Sequence, residues 1–259
     1  HREILPLPFV SLFLDDCVAR GLDCTNGGAV YNTTGLVAVG TATVADSLYA
    51  IKRLVYDEKK LTLGELTEIL RNNFEGQEYL RQFILNRFEK FGNDQDCVDR
   101  LAVGITDAFA DELEKHHNSR GGAFWGALYS VSAQVGLGNV CCATPDGRLD
   151  GLPLSDGLTP MYGMDRNGPT AVLASLSKIH QKRFPNGIIV NQRMSGSLFK
   201  TPEGREKMAQ LLRAFVAAGC FHWQFNIVDN KVLLAAQKDP DEYRSLVVPV
   251  SYTHLRAHE

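Results

Sequence analysis

The sequence predicts an α/β fold with a helical N-terminal part, and three observations predict it. Up to about Arg120 the apolar residues recur mainly at helical spacing. Beyond Arg120 short apolar runs alternate with helical stretches, the pattern of an α/β sheet or barrel. The 259 residues are 44% hydrophobic, enough for one large core or two modest ones, and no linker, repeat or low-complexity segment divides them.

The elements follow in order. Phe9, Leu12, Phe13 and Val18 fit the inner face of a helix ending near Gly21. The stretch from Leu22 to Gly40 is rich in glycine and threonine and reads as loop, and a second helix covers about Thr43 to Tyr56. Thr62-Leu63-Gly64-Glu65 is a capping box, in which hydroxyl and carboxylate satisfy each other's unpaired amides, with Leu66, Ile69 and Leu70 on one face behind it. Helices over Tyr79 to Phe91 and Asp96 to His117 complete the first half. Leu128 to Ser132 is strand-like, and a long loop carrying Pro145, Gly147, Gly151, Pro153, Gly157 and Pro160 follows. Pro169 opens a helix to about Lys182, where a first turn tolerates its missing N–H. Gly187 to Asn191 is a short strand, and Thr201-Pro202-Glu203 caps a helix to about Ala218. Phe221 to Val228 is a strand, Lys231 to Lys238 a helix, and Leu246 to Val250 a last strand.

Composition narrows the function classes. A net charge of −3 with interspersed signs carries no footprint for nucleic acid or an anionic membrane. Apolar runs are far too short for a membrane span. The six cysteines, at 17, 24, 97, 141, 142 and 220, form no CxxC pair and read as reduced thiols rather than metal ligands. No metal site is expected: His116-His117 sits at a helix end, where a cation suits the dipole.

Several stretches could carry chemistry. In "FHWQFNIV" Phe221, Trp223, Phe225 and Ile227 point one way and His222, Gln224 and Asn226 the other. The polar side fits either a solvated face or the interior of a barrel lined by an amide network. "CCATPDGRLDGLPLSDG" holds three Asp-Gly steps and reads as a tight surface loop, with Asp146 bonding its own backbone and Gly147 at positive φ. Long loops in compact domains are often functional as well. Cys17 in "DDCVAR" sits beside two acids that oppose a lowered thiol pKa, so it reads as buried rather than nucleophilic.

Taken together, "DDCVARGLDCTNGGAVYN", "VADSLYAIKRLVYDEKK", "LRNNFEG", "FGNDQDCVD", "GALYSVSAQVGLG", "ATPDGRLDGLPLSDG", "NGPTAVLASLSK", "FHWQFNIV" and "LLAAQKDPDEYRSLVV" resemble the glycyl radical enzymes of the pyruvate formate-lyase (formate C-acetyltransferase) superfamily. The diol dehydratase and choline lyase branch resembles it most. The resemblance implies the second half-barrel of an α/β barrel over residues 1–248, with an unpaired half-barrel prone to aggregate. It also implies thiyl-radical hydrogen abstraction from a small hydroxylated substrate, followed by loss of water or another leaving group. The glycyl radical would be installed by an S-adenosylmethionine-dependent radical-SAM activating enzyme, with no cofactor bound. A homodimer, a cytoplasmic setting and, as an alternative setting, a bacterial microcompartment are implied too.

The chain departs from the pattern at both catalytic positions. The family's Gly-Cys-Val-Glu string is missing, and the thiyl cysteine is expected before His1. Pro249, Val250, Ser251 and Tyr252 stand where the family has its radical glycine segment, so residues 249–259 are expected to be a non-native, adapter-derived tail. No catalytic residue is therefore assigned, and the chain alone is expected to be inactive. By position Tyr129 in "ALYSVS" and Leu198 after "NQRMSGS" match substrate-facing residues, with ordinary core packing as the alternative. Formate acetyltransferase-type and arylacetate decarboxylase-type chemistry remain open, as does a non-catalytic partner-binding domain or a radical-free binding protein on the same fold.

Overall fold

Parallel strands organise the molecule. The structure, a computed structural model, describes residues 5–243 and the backbone of Val247–Val250 and Thr253–Arg256. Strand β1 (Thr34–Val37) pairs in parallel with β2 (Phe124–Ala127), and β3 (Val190–Met194) with β4 (Trp223–Ile227). A parallel bridge between Leu128 and Ile188 joins the two pairs. Leu128 N–H donates to Gly187 O at 2.9 Å, and Ile189 N–H donates to Leu128 O at 3.0 Å. Long crossovers connect the strands, as parallel pairing requires.

Several boundaries differ from those the sequence predicts. The first predicted helix is two short ones, α1 (Pro8–Ser11) and α2 (Cys17–Arg20), because Asp16 turns the chain at φ +71° between them. Phe9, Leu12, Phe13 and Val18 are not an inner face: all four are exposed, Phe9 at 73% and Phe13 at 74%. The glycine- and threonine-rich stretch contains β1. Its Gly35 lies so close to the Asn186 side chain that any Cβ would overlap it. Strand β2 ends before the predicted Leu128–Ser132, since Val131 adopts φ +60° and the chain turns into α7 (Ala133–Asn139). β3 starts three residues later than the Gly187 predicted, and Ile188 serves the bridge instead.

Local signals hold better. Helix α3 (Thr41–Ile51) continues as a π-helical segment over Lys52–Asp57. Helix α4 (Leu63–Arg71) carries the capping box: Glu65 N–H donates to Thr62 Oγ1 at 3.2 Å, and Thr62 N–H to Glu65 Oε2 at 2.7 Å. Helix α5 (Glu78–Arg87) stops short of Phe91, as Phe88 is extended. Helix α6 (Asp96–Glu114) packs between α3 and β2. Buried Ala42, Ala45, Ala50 and Ala102 supply small side chains on α3 and α6. Helix α8 (Gly168–Ser177) carries Pro169 in its first turn but ends at Ser177, short of the predicted Lys182, and α9 (Pro202–Ala217) is capped by Thr201, whose Oγ1 accepts from Gly204 N–H at 3.0 Å.

The core gathers Leu54, Ile84, Phe91, Leu128, Leu176 and Phe184, all fully buried, with Phe109 stacked on Phe184. Helix α10 (Asn230–Lys238) follows β4. A last pair, β5 (Val247–Val250) and β6 (Thr253–Arg256), is antiparallel, with Val247 opposite Arg256 and Val250 opposite Thr253. Part of the tail that shows no strand periodicity in the sequence thus has strand backbone. Leu246, Ser251, Tyr252 and residues 257–259 lie outside the described residues.

Candidate functional site at the carboxyl ends of the strands

Parallel α/β sheets place binding residues at the carboxyl ends of their strands, where loops and helices converge. Tyr129 follows β2 at that end. Asn186 Nδ2 donates to the Tyr129 hydroxyl at 3.4 Å. Gly187, at φ +118°, brings its backbone against the Tyr129 ring, where a Cβ would lie 3.4 Å away.

The next residue begins a buried polar constellation. Ser130 Oγ accepts from Gly157 N–H at 2.8 Å, which draws the 155–159 loop across the gap between β2 and β3. Gly157 is required there: at φ +55° its Cβ would meet Ile189 O at 2.8 Å and Leu128 O at 2.9 Å. Ser155 is tied to α3, its Oγ accepting from Thr43 N–H and its N–H donating to Thr43 Oγ1. Asn191 Nδ2 donates to Asp156 Oδ2 at 2.6 Å, and Asn191 N–H to Thr159 Oγ1 at 3.0 Å. Burial pushes the Asp156 carboxyl up, opposed by hydrogen bonds from Ser130 and Asn191. Asp156 Oδ1 and Asn191 Oδ1 have no partner among the described residues. A buried carboxyl with a spare oxygen can take up a proton or accept a hydroxyl hydrogen bond.

Leu198 stands on the loop after β3, partly buried against the core. Asp229 fixes that loop: its Oδ1 accepts from Ser195 Oγ at 2.7 Å and from Gly196 N–H at 3.1 Å. The Ser195 hydrogen bond, and then Gly196 and the nearby Lys200 and Lys231, hold the Asp229 carboxyl below its usual range. A cavity of about 510 Å³ opens beside it, lined by Arg193, Ser195, Ser197, Asp229 and Lys231 among others. Tyr129 and Leu198 each follow the carboxyl end of a strand, β2 and β3, but the Leu128–Ile188 bridge sets Tyr129 level with the start of β3, and Leu198 lies beyond its end. Their surroundings are built separately, the first by 155–159 and 186–191, the second by Asp229.

Register decides the orientation of β4. Asn191 pairs with Gln224 and Arg193 with Asn226, while Val190 pairs with Trp223 on the opposite face. Trp223 packs on Phe215 of α9 at 5.1 Å, so helices cover the apolar side. That side is buried only at its centre, with Phe221 and Ile227 exposed. The polar side is half-buried but not a closed amide network: Gln224 Nε2 and Asn226 Oδ1 lack partners among the described residues.

The remaining candidates resolve simply. Asp146 and Arg148 form the predicted turn, with Gly147 at φ +98°, but the loop is buried rather than on the surface. Thr144 Oγ1 and Arg148 N–H donate to Asp146 Oδ1. The Arg148 guanidinium donates to Cys141 O, Cys142 O, Leu149 O, Leu152 O and Thr144 Oγ1. Cys17 is buried, and burial pushes its thiol up. His116 pairs with Glu112 one turn back on α6. The sequence reading missed Asp156 and Asn191; the Asp-Gly step after Ser155 is the signal that marks a sharp turn there.

The chain belongs to the pyruvate formate lyase-like family. A family model described as "Pyruvate formate lyase-like" matches residues 1–138, and one described as "Glycine radical" matches residues 154–252. Among its relatives, the trans-4-hydroxy-L-proline dehydratase of Clostridioides difficile is 38% identical, over 95% of this chain and 31% of that protein. The (2S)-3-sulfopropanediol dehydratase of Klebsiella oxytoca is 36% identical, over 97% of this chain and 31% of that protein. The glycerol-bound B12-independent glycerol dehydratase of Clostridium butyricum superposes with a TM-score of 0.92 at 41% identity, covering 100% of this chain and 33% of that one. The chain thus spans about a third of the length of the proteins it matches, and its fold is part of a glycyl radical enzyme α/β barrel. Among the described residues no helix is long and apolar enough to cross a membrane.

Proposed function

We propose that this chain is part of an anaerobic glycyl radical lyase, a dehydratase or related C–X lyase that acts on a small hydroxylated substrate. The observation that carries this reading is the ordered match of both family models to a chain that assembles Tyr129 and Ser130 after β2, Asp156 of the 155–159 loop and Asn191 near the start of β3. In this reading the Tyr129 hydroxyl bonds a substrate hydroxyl and Leu198 forms an apolar wall. The whole enzyme works as a homodimer in the cytoplasm or a microcompartment, and a radical-SAM activating enzyme supplies its radical.

This chain's own residues do not fit the radical. No Gly-Cys-Val-Glu string occurs and no glycine follows Gly219, although the glycine radical family model extends to residue 252. Residues 1–248 therefore supply pocket wall and scaffold, not the hydrogen-abstracting groups. Anaerobic incubation with an activating enzyme and S-adenosylmethionine is expected to give no glycine-centred electron paramagnetic resonance signal. Appearance of that signal would overturn the reading. In the complete enzyme, Tyr129→Phe is expected to lower kcat/KM about tenfold, as loss of one hydrogen bond to substrate does. Unchanged kinetics would remove Tyr129 from the pocket.

A further inference from the structure

A second cavity, of about 520 Å³, opens between α3, α5, α7 and the 146–164 loop. None of its lining residues belongs to the constellation around Tyr129 or to the Leu198 loop. Its walls are mainly apolar, from Leu85, Val135, Leu152, Pro153, Met161 and Met164. Its size falls within the range of small-molecule sites. Four buried ionisable groups line it, Asp46, Lys90, Asp146 and Arg148, of which Lys90 at 3% exposure and Asp46 at 1% are incompletely partnered.

The pairing of these last two is incomplete. Lys90 Nζ donates to Asp146 O at 2.9 Å, one of the three hydrogen bonds an ammonium can make. No carboxylate stands within ion-pair distance of it among the described residues. Asp46 Oδ1 accepts from Phe91 N–H at 2.8 Å, while Asp46 Oδ2 has no partner among the described residues. The other charges around the cavity are already engaged. Arg148 is engaged by four carbonyls and Thr144 Oγ1, Asp146 Oδ1 holds Thr144 and Arg148, and Arg81 donates to Gly147 O and pairs with Glu78. Burial pulls the Lys90 ammonium below its usual range, against the pull of Asp46 and Asp146, and a ligand that supplies a counter-charge favours its charged form.

We propose that this cavity binds a small carboxylate with an apolar body, its head group on Lys90 Nζ and the Asp46 carboxyl, its body against Leu85, Val135, Met161 and Met164. Burial keeps the Asp46 carboxyl protonated at neutral pH, so Asp46 and Lys90 both present donors and the matching ligand group is an acceptor. An amine would add a second cation there, and an alcohol would leave the ammonium uncompensated.

The test uses the 259-residue chain with hexanoate, hexan-1-ol and hexylamine as matched probes, titrated by calorimetry. Hexanoate is expected to bind saturably, one per chain, at least tenfold tighter than either of the others. Leu152→Trp, a change at the exposed rim, is expected to weaken it at least tenfold by filling the mouth, and Lys90→Met to do the same by removing the cation. Should Lys90→Met fail to fold, Leu152→Trp still decides. Equal affinity for hexanoate and hexan-1-ol, or hexanoate binding unaltered by Leu152→Trp, or no saturable binding at all, would each overturn the proposal.

Discussion

Asp46 shows how far burial moves a single residue. Its carboxyl is pushed up to about 8, chiefly by desolvation, against the pull of Lys90 and the Phe91 amide. The unfolded chain releases that proton near pH 4 and the folded chain keeps it to about pH 8. Below the lower value both states are protonated and the group sets no pH dependence. As pH rises from about 4 to 8, the folded state alone is constrained to hold the proton, and stability falls. Asp99 and Asp156, also raised by burial, act in the same direction. Asp46→Asn is expected to flatten the loss between pH 5 and pH 8 by about 2 kcal/mol or more, read by urea unfolding at the two pH values. An unchanged slope would show that Asp46 is ionised in the folded protein.

At the scale of elements, what could be read locally was read well and what depends on distant partners was not. The capping box at Thr62 and the Thr201 cap are settled within four residues, so their sequence signals carry to the structure. Thr62→Ala is expected to cost about 1 kcal/mol, measured as a shift of the urea midpoint at unchanged slope. No shift would mean that α4 is held by packing alone. β1 escaped notice because its Gly35 is dictated by Asn186, and its partner β2 lies far along the chain. The Asp156–Asn191 contact joins residues 35 apart in sequence, so no local spacing announces it. Tyr129 could be placed by family resemblance, but the residues that position it, Asn186 and Gly187, arrive only through the turn before β3. The alternation in "FHWQFNIV" gave the two faces of β4 correctly, while only the register with β3 tells which face the helices cover.

Across the whole molecule, the α1–α2 segment presents apolar surface that nothing among the described residues covers. Phe9 and Phe13 meet edge to face at 5.2 Å, exposed together with Leu12 and Val18. A cluster of this kind promotes association in water. Sedimentation velocity is expected to show concentration-dependent self-association of the chain, and Phe9→Glu with Phe13→Glu to abolish most of it without lowering thermal stability. Identical sedimentation of the two proteins would assign the association to another surface, such as an open strand edge.

The joint at Leu128 and Ile188 has an optical consequence. The chain has two tryptophans, Trp125 on β2 and Trp223 on β4, one on each side of that joint. Trp223 is enclosed by Phe215 and Phe225, whereas Trp125 is only half-buried. Their emission therefore reports separately on the two strand pairs. A single fluorescence transition would mark the joint as strong enough to make them one cooperative unit, and two would mark it as the seam along which the sheet comes apart.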